Sequence, residues 1–200
     1  MKNHFLVFGF FAAGIFLLGC KPEAAESADA DDAAAPAMTH QDSVKRGEYL
    51  VTIMGCEDCH SPKIFTKEGM MLFDSTRMLS GHPAADPLPK ITDKAMIVPG
   101  QWLLFGPDLT SYVGPWGTSF SANLTPDPSG LGDWNIDQFK RAFQHGKYKG
   151  MDNGRPIMPP MPWQNFAHAS NEDVHMIWTF LRSIKPISNV VPAYIPPGQK

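Results

Sequence analysis

Cys56-Glu57-Asp58-Cys59-His60 sets two thiols three residues apart with an imidazole directly after them. This spacing matches a c-type haem attachment site. Each cysteine sulfur adds covalently to one haem vinyl group, and a single tight helical turn puts both sulfurs against one porphyrin edge. His60 then comes in under the iron and offers a ring nitrogen as the proximal axial ligand. Two other uses of such a pair compete. A zinc site wants two more cysteine or histidine ligands at compatible spacing, and the chain has no further Cys-x-x-Cys. A redox dithiol sits at the start of a helix after a hydrophobic strand, and no strand pattern leads into Cys56. The residues favour one covalent haem c.

A second axial ligand must come from elsewhere. Gly154-Arg155-Pro156-Ile157-Met158-Pro159-Pro160-Met161-Pro162-Trp163 places methionines between prolines on a stiff, extended segment. A thioether held there is aimed with little entropy left to lose. A neutral sulfur favours ferrous over ferric iron, so His/Met ligation raises the potential. Met161 and Met158 are both candidates, and at least one of them packs without bonding iron. His145 and His168 read more simply as surface or helix-end residues. Met70, Met71, Met78 and His82 are further possible ligands, although methionine is more often a flexible filler of a core gap.

Helices must carry these groups. Val44, Gly47, Leu50, Val51 and Met54 recur at three- and four-residue intervals, which predicts a first helix over 43–54 capped by Asp42 or Ser43. Gly47 lets another helix approach closely, with Trp178 as the expected partner. Asn135 and Gln138 form a capping box ahead of Phe139, Ala142 and Phe143, and Gly146 closes that helix. A last helix starts at Ser170, presents Val174, Ile177, Trp178, Leu181 and Ile184 on its apolar face, and stops at Pro186. The proline-rich run 186–200 is expected to lie over the surface.

Residues 61–122 hold seven prolines and resist a helical reading. Short apolar runs at 95–98 and 102–105, separated by Pro99-Gly100, suggest a hairpin. The segment is expected to be a loop or hairpin insertion that covers a haem edge or shapes a docking face.

The N-terminus carries a sorting signal. Lys2 supplies positive charge, and 5–18 is an apolar run ending at Leu17-Leu18-Gly19-Cys20, which resembles a bacterial lipobox. The run falls short of the roughly twenty residues that cross a bilayer. Residues 1–19 are therefore read as a lipoprotein signal peptide and Cys20 as the lipid attachment site. Acyl chains contribute about 0.8 kcal/mol per buried methylene, so two or three anchor a protein stably. Residues 20–42 are rich in Ala, Asp, Glu and Ser and have almost no large apolar side chain, so they read as a flexible tether. The tether holds most of the excess acid; 43–200 is close to neutral. Of the three cysteines, one goes to lipid and two to haem, which leaves none for a disulfide.

These motifs in this order, together with Asn123-Leu124-Thr125-Pro126-Asp127 and Gly130-Leu131-Gly132-Asp133-Trp134, resemble the class I cytochrome c family. The resemblance is closest to the cytochrome c domains that serve membrane-bound alcohol and aldehyde dehydrogenases. It spans roughly 43–190 and is poorest over 61–122. It implies a mostly α cytochrome c fold, three to five helices around one haem, with Met161 as the axial sulfur because it precedes Pro-Trp. In that family a Gly-Pro-x-Leu element follows the haem histidine and orients its ring through a backbone carbonyl. Here Gly106-Pro107-Asp108-Leu109 and Ala122-Asn123-Leu124 compete for it. Dehydrogenase subunits usually carry three haem motifs, whereas this chain has one.

The expected role is a membrane-tethered periplasmic electron carrier rather than an enzyme. Its partners would be redox proteins such as a dehydrogenase, a quinol-linked complex or a terminal oxidase. Lys140, Lys147 and Lys149 could steer an acidic partner, although they read first as solvated surface charge. Rival readings are a peroxidase or nitrogen-oxide reductase in which the methionine leaves the iron, or a haem-based sensor. No acid/base constellation stands beside Met161 in sequence, which disfavours the enzymes. A net charge of -3 and the absence of a phosphate-binding glycine loop give no support to a nucleic-acid or nucleotide role.

Overall fold

Thr39 starts the first helix. Its hydroxyl accepts from Asp42 N, and the Asp42 carboxylate accepts in turn from Thr39 N, a reciprocal capping box. Helix α1 therefore covers His40–Ile53, beginning three residues before the expected Ser43 and reaching into the stretch read as tether. Asp42 serves as the box's third residue, not as the cap. The computed structural model describes residues 38–198. The signal-peptide reading of 1–19, Cys20 and most of the tether lie outside the described residues.

After α1 come α2 (Cys56–His60), β1 (Lys63–Phe65), β2 (Met71–Phe73), β3 (Leu104–Phe105), β4 (Ser111–Gly114) and β5 (Gly117–Phe120). Then follow α3 (Ile136–His145), α4 (Trp163–Phe166) and α5 (Asn171–Ser183). The core is helical. Leu50 and Val51 of α1, Phe139 and Phe143 of α3, and Val174, Ile177 and Leu181 of α5 form one buried cluster, joined by Leu79 and Leu131. The α3 and α5 caps fall where expected. Asn135 accepts from Gln138 N at 2.9 Å, Gly146 ends α3 in a left-handed conformation, and Ser170 accepts from Asp173 N at 3.0 Å.

Helices α1 and α5 cross at Gly47. A Cβ there would lie 2.7 Å from both the Met176 carbonyl carbon and the Phe180 Cβ. The close partner is thus Met176 and Phe180, not Trp178. The Trp178 indole faces the other way and packs on Phe139, ring centroids 5.3 Å apart. Arg46 and Asp173 add an exposed ion pair at 3.1 Å between the two helices.

The core is helical, and the segment between α2 and α3, expected as a loop or hairpin insertion, contains all five described strands. The hairpin expected from 95–98 and 102–105 does not form. Residues Lys94–Ile97 make a 3₁₀ turn capped by Asp93, whose carboxylate accepts from Ala95 N at 2.8 Å. Leu104 and Phe105 pair instead with Val113 and Tyr112 across a later turn. β4 pairs in turn with β5, and β1 pairs with β2 in a separate hairpin. The β1–β2 hairpin shows apolar side chains on both faces, with Ile64, Phe65, Leu72 and Phe73 all exposed. The C-terminal run lies along the surface as expected but is fastened there. Asn189 donates to the Ser80 and His82 carbonyls at 2.7 and 2.8 Å, and Ile195 bridges to Thr118.

Gly47→Ala would force a methyl into the α1–α5 crossing. Overpacking of this kind costs about 1–3 kcal/mol, so the midpoint of guanidinium unfolding should fall accordingly, whereas an Ala at exposed Gly69 should cost only its backbone strain.

Candidate functional site

Gly55, in a left-handed conformation, ends the first helical segment and starts the single turn α2. That turn places Cys56, Cys59 and His60 on the wall of a cavity of about 790 Å³. The rest of the lining is largely apolar and includes Leu124, Leu131, Trp134, Phe139 and Phe143. Both cysteine thiols are free and partly buried. Burial, reinforced by the Glu57 carboxylate, pushes the Cys56 thiol up to about 12. A redox dithiol needs the opposite, a thiol that ionises easily. Among the described residues no cluster of three or more His, Cys, Asp or Glu side chains could hold a metal ion, so a zinc site finds no ligand set.

The His60 ring is buried, and its Nδ1 lies 2.7 Å from the Ala122 carbonyl oxygen. A carbonyl can only accept, so Nδ1 carries the proton and Nε2 keeps its lone pair. Burial also holds the ring's pKa below the usual histidine value, outweighing the hydrogen bond to Ala122, and so favours the neutral imidazole. This is the state in which a ring nitrogen binds a metal, with the other nitrogen fixing the tautomer. The contact also decides between the two stretches that compete for the orienting carbonyl. Gly106-Pro107-Asp108-Leu109 makes the turn between β3 and β4, with Leu109 N donating to Gly106 O at 3.0 Å. Ala122 is the acceptor.

Both Met158 and Met161 line the same cavity as His60. They differ in their surroundings, because Met161 also packs against the buried core cluster. The turn that carries them is pinned from the β4–β5 hairpin, where the Ser119 hydroxyl donates to the Pro159 carbonyl at 2.6 Å. Helix α4 follows at once, and Phe166 stacks on Phe143 at 4.8 Å. The other candidates lie elsewhere. Met70 and Met71 are exposed on or beside β2, Met78 does not line the cavity, and His145 and His168 are exposed. His82 is buried but outside the lining, its Nδ1 2.7 Å from the Thr110 hydroxyl.

Sequence reasoning missed several lining residues. Tyr112 sits on β4 with its hydroxyl 3.0 Å from the Ser121 hydroxyl, and burial raises its phenol well above the ordinary value. Arg155 lies between two tyrosine rings, 3.9 Å from the Tyr148 centroid and 4.9 Å from that of Tyr194. Arg155 was legible as a cation in the Met-Pro run, but its tyrosine partners come from distant segments. Two thiols, a neutral imidazole and two thioethers around one apolar cavity form a donor set that fits an iron porphyrin, with Arg155 and Lys149 as the lining cations for its acid groups.

No protein-family model matches the chain. Comparison with curated proteins finds cytochrome c subunits of dehydrogenases. Identity to the gluconate 2-dehydrogenase cytochrome c subunit of Pantoea cypripedii is 32% over 161 residues, covering 80% of this chain and 26% of that protein. For the cytochrome c subunit of the quinone alcohol dehydrogenase of Gluconobacter oxydans the figures are 28% over 179 residues, 88% and 27%. For the fructose dehydrogenase cytochrome subunit of Gluconobacter japonicus they are 25% over 154 residues, 76% and 24%. These relatives support a cytochrome c domain here. The chain spans about a quarter of their length.

Ser119→Ala would leave the Pro159 carbonyl without its partner. Losing a part-buried hydrogen bond of this kind costs about 1 kcal/mol, so denaturant unfolding should shift by that amount. Retention of wild-type stability would mean that the turn holding Met158 and Met161 is fixed by its own prolines.

Proposed function

We propose that this chain is a mono-haem c-type cytochrome, tethered through acylated Cys20 to a bacterial membrane on its periplasmic side, that carries single electrons. The observation that supports this most is the His60 ring, turned so that Nδ1 bonds Ala122 while Nε2 stays available beside two cavity-lining cysteines. A bound haem c supplies an iron centre that cycles between ferrous and ferric states. Cys56 and Cys59 would hold it covalently, and His60 and Met161 would donate to its iron, with Met158 the runner-up. The apolar lining keeps water from the iron and stabilises the state of lower charge. Arg155, stacked between tyrosines, is placed to pair with a carboxylate on the bound group.

An iron held by both His60 and Met161 would have no site open for small-molecule chemistry. The chain then serves as an electron-transfer partner or subunit rather than the catalytic component. A dehydrogenase is the donor favoured by the names of its relatives, each a cytochrome subunit of such an enzyme. Among the described residues no helix is long and apolar enough to cross a membrane. Attachment through Cys20 would supply the membrane contact, with 20–37 as spacer.

An anaerobic redox titration followed by absorption spectroscopy tests the central reading. One low-spin haem that ignores carbon monoxide and cyanide is expected; a colourless protein or a high-spin, ligand-binding haem would refute it. Met161→Ala should abolish the ferric methionine-sulfur charge-transfer band and lower the potential, while Met158→Ala should leave the band in place. The reverse pattern would assign the ligand to Met158. Cys20→Ser should move the protein from the membrane to the soluble fraction, and continued membrane retention would rule out the lipid anchor.

A further inference from the structure

We infer that Gly81 is a positioning residue for His60, acting through the Ala122 carbonyl. The inference rests on the reading of His60 as an iron ligand. Residues 79–82 run between the haem motif and the 121–124 stretch and are bonded to both. On the motif side, Gly81 N donates to His60 O at 2.8 Å and Leu79 N donates to the Ser61 hydroxyl at 2.9 Å. On the other side, His82 N donates to Ser121 O at 3.0 Å and Leu79 O accepts from Leu124 N at 2.8 Å. The strip thus fastens the backbone of residue 60 to the backbone on either side of residue 122.

Gly81 stands at the tightest point of this strip. A Cβ built on it would lie 2.5 Å from Ser121 O, 2.6 Å from the Ala122 carbonyl carbon and 2.7 Å from the Ala122 oxygen. All three are backbone atoms, so no side chain can swing aside to make room. Its φ of +76° also lies in the region that glycine alone enters without strain. The Ala122 oxygen is the same atom that accepts the Nδ1 proton of His60 at 2.7 Å. Any side chain at 81 must therefore push that carbonyl, and the hydrogen bond that sets the tautomer and basicity of the ligand moves with it. A strongly held Nδ1 proton makes the opposite nitrogen a better donor, which favours ferric iron. Loosening it raises the potential.

Strain and positioning are separable because the chain contains a matched control. Gly69 has a φ of +83° and nothing within 4 Å of a built Cβ. Gly69→Ala and Gly81→Ala impose comparable backbone strain, but only the second reaches the Ala122 carbonyl. The experiment measures midpoint potential and exchange of the His60 Nδ1 proton by NMR in the full-length, haem-loaded protein. Gly81→Ala should raise the potential and speed that exchange several-fold, with Gly69→Ala matching wild type in both. Equal shifts in the two variants, or none in Gly81→Ala, would overturn the inference. Should Gly81→Ala yield no haem-loaded protein, Ser61→Ala decides. It frees Leu79 N without adding bulk and should shift both readouts in the same direction, and wild-type values would overturn the inference. Haem absent from the wild type would instead defeat the ligand reading, so the two failures are distinct.

Discussion

The hydrogen bond from His60 Nδ1 to the Ala122 carbonyl joins residues 62 apart in sequence, and much of the surrounding structure is arranged to let it form. The chain between them must leave α2 and return so that 121–124 passes beside the motif. Closing a loop costs entropy that rises only slowly with its length, about 0.6 kcal/mol for each doubling. A long insertion is therefore tolerated if its two ends are held together independently of its middle. The strip at 79–82 does this, with bonds to residues 60 and 61 on one side and to 121 and 124 on the other. Asn123 and Thr125 extend the fastening to the C-terminus. The Asn123 amide donates to the Ile187 carbonyl at 2.8 Å, and Ile187 N donates to the Thr125 hydroxyl at 3.1 Å.

Burial and this hydrogen bond act on the imidazole in opposite senses, because the bond alone would raise its pKa and burial outweighs it. Removing the ring from water disfavours its charged form, while the carbonyl accepts a hydrogen bond from the one N–H it retains. The result is a neutral ring with one nitrogen committed and one available. The same apolar surroundings push the Cys56 thiol up, away from the easily ionised sulfur that disulfide exchange uses. A single environment thus argues for one use of the Cys-x-x-Cys-His motif and against its main rival.

The parts of the fold that were legible in sequence are those fixed by neighbours within four residues. The caps of α3 and α5, the left-handed Gly146 and the helical turn of the motif all depend on local bonding. What was not legible depends on distant partners. Gly47 announced a close crossing, but the Met176 carbonyl and the Phe180 Cβ that fill it carry no sequence signal pointing back to residue 47. Leu104 and Phe105 had the composition of a strand, and their nearest apolar run was the wrong mate because Asp93 caps 94–97 into a 3₁₀ turn. The β1–β2 hairpin is apolar on both faces, so it lacks the alternation by which a half-buried strand is recognised. Helix α4 is only four residues long and begins directly after Pro162, inside a run that reads as extended.

The segment least readable in sequence turns out to supply two walls of the site. It provides the backing of the His60 acceptor through Leu79, Gly81 and His82. Its last hairpin, β4–β5, holds the methionine turn, because Ser119 bonds the Pro159 carbonyl between the two candidate methionines. Tyr112, on the same hairpin, also lines the cavity. The helical core built from α1, α3 and α5 sets the floor of the cavity, while the insertion determines how its polar groups are aimed. A helix bundle alone would bury the porphyrin-sized space but leave the imidazole free to rotate and the methionine turn tied only at its ends. Variation in 61–122 at positions remote from 79–82 and 119–122 should therefore be absorbed without re-aiming the His60 ring or the 158–161 turn, since neither constraint passes through β1, β2 or the 94–97 turn.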